Sequence, residues 1–244
     1  MNARIFGIEV LDELRGILRE PAALFFSILM PVGFFAFFVS LFGGQSTDGM
    51  STATRMVATF GTFGVLSVTL MNPGIGVADD RQRGWLRAKQ VSSVPVWLTL
   101  AAKVTAALPY AVGVLLAMAV TAGLTGSLRA SPASLLRLAG VLLLGALPFA
   151  LLGLAVGFQA SPNTSAGILN AILIPSAMVS DLWMPLEILP DFIGRIAQFL
   201  PTYHLGQLAL AQLNGGGLSH VLVLLGMTGV AAMLAAVSYR NVRL

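Results

Sequence analysis

Long apolar runs separated by short polar stretches dominate the sequence. Six of them reach the roughly 20 residues that a helix needs to cross the hydrocarbon core of a bilayer, and they contain few or no charges. These runs cover residues 22–42, 57–78, 104–124, 135–158, 165–184 and 218–239. The strict alternation of a membrane β-barrel is missing, and the runs are too long for single strands. The pattern predicts an all-α polytopic membrane protein, with six transmembrane helices in one domain over residues 1–244.

Residues 4–20 precede the first run and predict an amphipathic helix. At 100° per residue its apolar side chains fall within one arc of about 140°; they are Phe6, Val10, Leu11, Leu14, Ile17 and Leu18. Basic side chains (Arg4, Arg15 and Arg19) border that arc on one side and acidic ones (Glu9, Glu13 and Glu20) on the other. We expect this helix to lie in the membrane interface, and Pro21 to mark the turn into the first span. The alternative is a cytoplasmic helix packed on another subunit.

Residues 79–95 form the densest charged stretch outside the N-terminus. Asp79 and Arg83 are four residues apart, so a short helix would hold them as an ion pair. A plain cytoplasmic loop explains the arginines. A docking surface for a cytoplasmic partner also explains the acidic pair, the glycine and the aromatic ring. The residues of this predicted surface are Asp79, Asp80, Arg81, Arg83, Gly84, Trp85 and Arg87.

Residues 185–205, between the fifth and sixth runs, are divided by three prolines. Pro185, Pro190 and Pro201 leave pieces too short to cross a bilayer. The middle piece still has an apolar face, formed by Phe192, Ile193, Ile196, Phe199 and Leu200. We expect a re-entrant helical hairpin that dips into the outer leaflet, its irregular backbone shielded by protein.

Composition and charge agree with a membrane protein. Hydrophobic residues make up 57% of the chain and charged residues 10%, against about 25% charged in a globular domain. This excludes a soluble enzyme, a disordered tail and a nucleic-acid binder. With the N-terminus inside, ten of the 14 basic residues fall in inner segments and four in outer ones. Because basic residues collect on the cytoplasmic side, both termini are predicted to be cytoplasmic.

Signs of catalytic chemistry are missing. The chain has no cysteine, so it has no disulfide framework, iron–sulfur cluster or thiol nucleophile. A phosphate-binding loop needs GxxxxGK[ST], but the two lysines, Lys89 and Lys103, do not follow a glycine. His204 and His220 lie outside any HExxH pattern and are interpreted as interfacial side chains rather than metal ligands. We therefore expect no catalytic residue, no metal site and no ATP hydrolysis in this chain.

Few polar residues fall inside the predicted spans. Asp181, near the outer end of the fifth run, is interpreted as a solvated acid at a helix end rather than a proton relay. For Asn72, Gln159 and Asn170 we expect hydrogen bonds between helices, with a lining role in a substrate path as the second interpretation. Gly153 and Gly157 form a GxxxG pair that permits close helix contact.

Three segments together resemble the membrane subunits of ABC-2 type exporters, a family that includes drug-resistance permeases. They are LRGILREPAALFFSILMPV at Leu14–Val32, DDRQRGWLRAKQVSSVPV at Asp79–Val96 and SDLWMPLEILPDFIGRIAQFLPTYHL at Ser180–Leu205. The predicted six spans with both ends inside are similar as well. The second segment departs from the family pattern, because Asp79 and Asp80 stand where glutamates are usual and Trp85 where a threonine is common.

The resemblance implies half of a transporter in the cytoplasmic membrane. Two such subunits, identical or paralogous, would dock on two separate ABC ATPase subunits, which would bind ATP and Mg; this chain would need no cofactor. Residues 79–90 and the N-terminal helix, with Arg15, Arg19, Glu20 and Pro21, would transmit the motion of the ATPase. The substrate would move outward between the first, second and fifth helices, past candidates such as Asn72, Asn170 and Asp181.

The nearly charge-free interior favours a hydrophobic or amphipathic substrate, such as a drug, a lipid or a peptide antibiotic. Two other classes of protein stay open at this point. An ion-coupled secondary carrier would need a buried titratable group, for which Asp181 is the candidate. A non-transporting membrane protein would associate with no ATPase subunit.

Overall fold

The computed structural model describes residues 2–19, 25–43, 46–47, 50–90, 94–125, 128–214 and 219–242. Two residues of the predicted N-terminal turn, Glu20 and Pro21, lie outside these ranges. The helices are α1 (Asn2–Leu18), α2 (Met30–Phe42), α3 (Thr52–Gln82), α4 (Trp85–Gln90), α5 (Val96–Leu124), α6 (Pro132–Gly145), α7 (Leu147–Gly157), α8 (Pro162–Val179), α9 (Asp191–Ala197), α10 (Pro201–Asn214) and α11 (Val221–Arg240). A π-helical turn at Phe25–Leu29 leads into α2, and the short strands Ser46–Thr47 and Met50–Ser51 pair antiparallel before α3.

Serine caps mark the start of three helices. The side chains of Ser51, Ser131 and Ser161 accept hydrogen bonds from backbone N–H groups three residues later, at 3.1 to 3.3 Å. Each satisfies a donor that the first turn of a helix leaves without a partner. Proline follows directly in α6 and α8, where its missing N–H costs nothing. These caps lie before the apolar runs, so the helices begin earlier than hydropathy alone predicts.

Helix α3 is the centre of the bundle. It packs against α2, α5, α7, α8 and α10, and most of its side chains between Ala53 and Ala78 are buried. The main core lies around it and includes Phe35 of α2, Leu66 of α3 and Met118 of α5. A helix buried on all sides has no need of a polar face, which explains the continuous apolar run in this part of the sequence.

Four helical segments are long and apolar enough to cross a bilayer within the described ranges. They are Thr52–Gln82, Val96–Leu124, Pro132–Gly157 and Val221–Arg240. The third consists of α6 and α7, which are separated at Ala146 just before Pro148. Helix α2 has 13 residues and α8 has 18. The structure thus supports an all-α membrane protein, whereas six complete spans remain a prediction.

The close contact predicted for Gly153 and Gly157 is confirmed. A Cβ at Gly153 would meet the carbonyl oxygen of Leu70, and one at Gly157 would meet that of Gly74. Gly74 in turn faces the backbone of Gly153. Helices α3 and α7 therefore cross backbone to backbone, as small residues allow.

The three prolines of residues 185–205 begin separate short elements, as predicted. Pro185 precedes a 3-10 turn at Leu186–Ile188, Pro190 precedes α9, and Pro201 is the first residue of α10. Helix α10 continues past residue 205 to Asn214, with Gly206 in its interior. Its Leu205 and Ala209 are fully buried. The depth of this re-entrant segment in a membrane stays a prediction.

Helix α1 matches the predicted amphipathic helix and packs along α5. Its predicted apolar arc is divided between two environments. Leu14 and Ile17 pack against the core, whereas Leu11 and Leu18 are 51% and 60% exposed. Arg15 and Arg19 are exposed. The helix thus leaves an apolar strip uncovered by this chain, as an interfacial helix would.

Candidate functional site

The charged stretch after α3 folds back as a tight turn and a short helix. Gly84 has φ of 75°, a left-handed conformation that glycine adopts without strain, and it connects α3 to α4. The predicted ion pair is confirmed, because Arg83 Nε lies 2.9 Å from Asp79 Oδ1. Both partners are substantially exposed, so this pair adds little stability.

Helix α4 is anchored by one buried residue and presents others outward. Leu86 is 1% exposed and packs in a small second core with Val77, Leu154 and Phe158. Trp85, the residue before Leu86, is 57% exposed, and Arg87, the residue after it, is exposed as well. An exposed tryptophan between two exposed arginines, Arg83 and Arg87, is a composition enriched at protein interfaces. We name these three exposed side chains, Arg83 of the turn together with Trp85 and Arg87 of the helix, the outward face of α4.

Arg81 does not belong to this outward face. Its guanidinium donates to the carbonyl oxygens of Phe158 at 3.0 Å and Ala160 at 2.8 Å. These carbonyls lie at the C-terminal end of α7, where backbone acceptors lack helical partners and a cation is favourable. Sequence reasoning grouped Arg81 with the docking residues, but the structure gives it contacts inside the chain.

A buried lysine joins three helices at this end. Lys103 in α5 is 4% exposed, and its Nζ lies 2.6 Å from Glu13 Oε1 of α1 and 3.0 Å from Asp80 Oδ2 of α3. Asp80, another predicted docking residue, is thus directed inward. A buried charge is tolerated only when it is paired and hydrogen-bonded, and here one cation meets two anions. We name Glu13, Asp80 and Lys103 the lysine cluster.

A second lysine pairs with another glutamate of α1, one helical turn before Glu13. Lys89 of α4 pairs with Glu9 of α1 and lies 3.3 Å from Thr99 Oγ1 of α5. Tyr110 of α5 donates a 2.7 Å hydrogen bond to the carbonyl oxygen of Leu14. Helix α1 is therefore held to α4 and α5 by polar contacts at Glu9, Glu13 and Leu14.

Sequence reasoning missed the lysine cluster. Lys103 stood just outside the predicted third span, and the span interiors were expected to be almost free of charge. One signal was present, since Glu9 and Glu13 stand four residues apart on one helix face and the chain has just two lysines. Which lysine faces which glutamate depends on tertiary packing and cannot be read from spacing.

The prediction for Asp181 was wrong. Its side chain is 7% exposed and lies 3.0 and 2.9 Å, through its two oxygens, from Arg55 Nη2. Gln207 Nε2 donates to the same carboxylate at 3.2 Å. Asp181 has φ of 62°, which is uncommon for a residue with a side chain. Asp181 is therefore a buried ion-pair partner and not a solvated helix end. It joins α3, α10 and the segment that follows α8.

Other polar contacts surround this ion pair. The hydroxyl groups of Ser180 and Thr202 are 2.6 Å apart. His204 Nδ1 lies 2.8 Å from His220 Nδ1, and His204 Nε2 lies 2.8 Å from the carbonyl oxygen of Gln198. No cluster of three or more metal-binding side chains occurs among the described residues. The histidines contact each other and join α10 to the residue before α11, which sequence analysis did not predict.

The three neutral polar residues differ in their contacts. Gln159 donates to the carbonyl oxygen and the hydroxyl of Ser238 at 2.7 and 2.9 Å, a contact between elements as predicted. Asn170 instead bonds within its own helix, to Ala166 O at 2.9 Å, and is exposed; the prediction of an interhelical bond was wrong there. Asn72 Nδ2 is buried and finds no hydrogen-bond partner in the described part of the chain.

The architecture defines a class of protein. Several long apolar helices surround a buried central helix, and one end bears a charged, partly exposed α3–α4 turn. This is the arrangement of a multi-pass membrane protein. The sequence pattern of the ABC-2 type transporter family matches residues 6–213. The chain therefore belongs to the ABC-2 type transporter family, whose membrane domain is a transport subunit rather than a catalytic one and works with an ATPase partner.

A named relative agrees with this assignment. The chain is 27% identical over 204 residues to the Bacillus subtilis (strain 168) protein named "Putative transport permease YvfS". The match covers 84% of this chain and 83% of that protein. The family match at residues 6–213 includes both the α3–α4 turn and the Arg55–Asp181 pair.

Proposed function

We propose that this chain is the membrane subunit of an ATP-driven exporter, and that the outward face of α4 docks on its ABC ATPase. The observation that supports this proposal is that the residues of the charged stretch fall into two groups with different surroundings. Asp80, Arg81 and Lys89 are engaged with other parts of the chain, whereas Arg83, Trp85 and Arg87 are exposed. A partner that binds the exposed set moves a helix anchored to α1, α3 and α5.

The route of transmission follows from the contacts of α4. Lys89 connects α4 to Glu9 of α1, and Asp80, four residues before Gly84, connects the end of α3 to Lys103 of α5. In the lysine cluster Lys103 is 4% exposed and Glu13 and Asp80 are 22% and 20% exposed, so solvent screens these ion pairs only in part. Closure of two ATPase subunits upon ATP would push α4, and these pairs would pass the displacement to the spans.

The proposed topology places six spans in the cytoplasmic (inner) membrane, with both termini in the cytoplasm. Residues 25–42 and α8 would be the two further spans, in addition to the four long segments. In this orientation Arg81, Arg83, Arg87, Lys89, Lys103 and Arg240 lie inside, as the distribution of basic residues favours. The Arg55–Asp181 pair then lies at the outer end, and the re-entrant segment faces outward.

The complete transporter would contain two permease subunits and two ATPase subunits. Large apolar side chains of α2 and α8, among them Phe37 and Ile172, are 58% and 50% exposed. These faces suit a second permease copy or paralogue, with the export path between them. The apolar character of the bundle favours a hydrophobic or amphipathic cargo, such as a drug, a lipid or a peptide antibiotic.

A charge reversal and an aromatic truncation on the outward face test the proposal. The tagged permease is expressed in its native host, the ATPase that co-purifies is identified, and Arg87→Glu and Trp85→Ala are compared with the unchanged chain. We expect less bound ATPase and less ATP hydrolysis, with an unchanged melting temperature, because neither side chain supports the core.

Arg137→Glu is the matched control, since Arg137 is an exposed arginine of α6 at the proposed outer end. Normal ATPase binding by Arg87→Glu and Trp85→Ala would contradict the docking role. Absence of any ATPase from the purified complex would instead favour a non-transporting membrane protein. Transport that continues without ATP and fails in Asp181→Asn would favour the ion-coupled carrier.

A further inference from the structure

An apolar groove lies between α5, α7 and α11, away from the outward face of α4. Its volume is about 690 Å³, and it is open on one side. The lining residues are Val96, Trp97, Leu100, Ala101, Val104, Thr105, Leu147, Leu151, Leu154, Phe158, Ala235, Ala236 and Tyr239. The hydroxyl groups of Thr105 and Tyr239 and the indole N–H of Trp97 are the polar groups of these side chains. The groove thus has the size of a small-molecule site but few groups for a polar ligand.

The length of the groove matches one leaflet. From Val96 to Thr105 helix α5 advances about 14 Å, and from Leu147 to Phe158 the α7 segment advances about 16 Å. Half of a bilayer's hydrocarbon core is about 15 Å deep. A groove of this length and polarity accommodates one acyl chain of one leaflet, whereas a peptide would leave its backbone groups without partners.

The charged and aromatic groups at one end identify the leaflet. Trp97, 64% exposed, and Tyr239 lie at the end of the groove near α4; such rings favour the lipid–water boundary. Arg240 follows Tyr239 and is exposed. A phosphate head group at this boundary would meet a positive charge, while its acyl chain enters the groove.

We propose that this groove binds an anionic phospholipid of the cytoplasmic leaflet, with its acyl chain between α5, α7 and α11 and its head group beside Arg240. The assignment to the cytoplasmic leaflet rests on the orientation given under the proposed function. Leu154 and Phe158 line the groove and also pack around Leu86 of α4. A bound chain therefore contacts the same side chains that anchor the docking helix.

Quenching of Trp97 fluorescence by brominated lipids tests this site. The full chain carries Trp85→Phe and Trp183→Phe, so that Trp97 is the single tryptophan, and is reconstituted in mixed phosphatidylglycerol and phosphatidylcholine bilayers. The bromines are placed on the acyl chains of one lipid at a time at equal mole fraction. We expect stronger quenching when phosphatidylglycerol carries them, because that lipid is enriched at the groove.

Two substitutions in this background locate the binding site. Ala236→Phe fills the groove and should remove most of the excess quenching by phosphatidylglycerol, whereas Val237→Phe places a ring at an exposed position on the other side of α11, outside the lining, and should leave it unchanged. Arg240→Gln should abolish the preference between the two lipids. Equal quenching by both lipids in the parent chain, or an equal effect of the two phenylalanines, would overturn the proposal.

This measurement needs neither ATP nor an ATPase subunit. A protein that prefers phosphatidylglycerol but recruits no ATPase would retain the lipid site and lose the proposed function. A protein that recruits its ATPase and shows no lipid preference would retain the function and lose the lipid site. The two failures are therefore distinguishable.

Discussion

Arg55 Nη2 lies 3.0 and 2.9 Å from the two carboxylate oxygens of Asp181, residues separated by 126 positions in sequence. The pair connects the first turn of α3 to the segment that follows α8. The Asp181 side chain is 7% exposed and that of Arg55 30% exposed, so the pair is shielded from water on one side. Loss of one partner would leave the other charge poorly solvated.

Asp181→Asn should lower the stability of the solubilised protein by about 2 kcal/mol, since a hydrogen-bonded charge pair is lost and Arg55 remains. The check is a melting curve of the purified chain in detergent, together with Arg55→Gln and the double variant. The double variant should be less destabilised than the two single effects predict when added. Additive effects would show that the two residues contribute independently.

The lysine cluster should be more sensitive than the neighbouring lysine pair. Lys103→Gln removes a buried cation and leaves the carboxylates of Glu13 and Asp80, which are 22% and 20% exposed, facing each other without it, and we expect a loss of about 3 kcal/mol. Lys89→Gln removes a pair whose side chains are 20% and 18% exposed and should cost about 1 kcal/mol. Melting temperatures of the two variants provide the comparison. A larger effect at Lys89 would contradict the structural difference between the sites.

Gly157→Ala should separate α3 from α7. The added Cβ would meet the carbonyl oxygen of Gly74, and backbone cannot move aside as a flexible side chain can, so a loss of about 2 kcal/mol is expected. Gly140→Ala is the control, because nothing lies within 4 Å of its position in α6. That change should be neutral or slightly stabilising, since alanine favours helix. Melting temperatures and the yield of monodisperse protein report both effects.

The histidine contact predicts a loss of stability in acid. Burial, and secondarily the nearby His204, lowers the pKa of His220 below its ordinary 6.5; His220 precedes α11. Below pH 6.5 the unfolded chain binds a proton that the folded chain resists, so stability is complete above that pH and falls beneath it.

The melting temperature of the parent chain should therefore drop more between about pH 7.5 and pH 5.5 than that of His220→Gln, which has no charge to gain. Other groups also titrate in this range, and the comparison between the two proteins cancels their contribution. Parallel pH profiles would show that His220 does not govern the acid response.

The elements were predictable because helical hydropathy and proline positions are local properties. The amphipathic helix, the Asp79–Arg83 pair and the proline-divided segment all follow from residues within a few turns of one another. Pairing across the bundle was not predictable. Glu13 and Lys103 are 90 positions apart, and their contact depends on how α1 lies along α5. Asp181 looked solvated because no nearby residue identified Arg55 as its partner.

The docking residues illustrate the same limit. Sequence reasoning treated residues 79–87 as one surface because their charges are contiguous. In the structure a helix end and a reversal at Gly84 divide them, so that Asp80 and Arg81 face the bundle and Arg83, Trp85 and Arg87 face outward. The direction of each side chain depends on where α3 ends, and that boundary is set by tertiary contacts as much as by local preference.

The length of α3 has a mechanical consequence. Its 31 residues extend about 46 Å, well beyond the roughly 30 Å of a hydrocarbon core. Arg55 lies in its first turn and Asp80 in its last, so the Arg55–Asp181 pair and the lysine cluster are attached to opposite ends of one continuous helix. A torque applied at the Asp80 end of α3 would reach Arg55 through the helix backbone without any relay of side chains, reduced by any bending at Pro73.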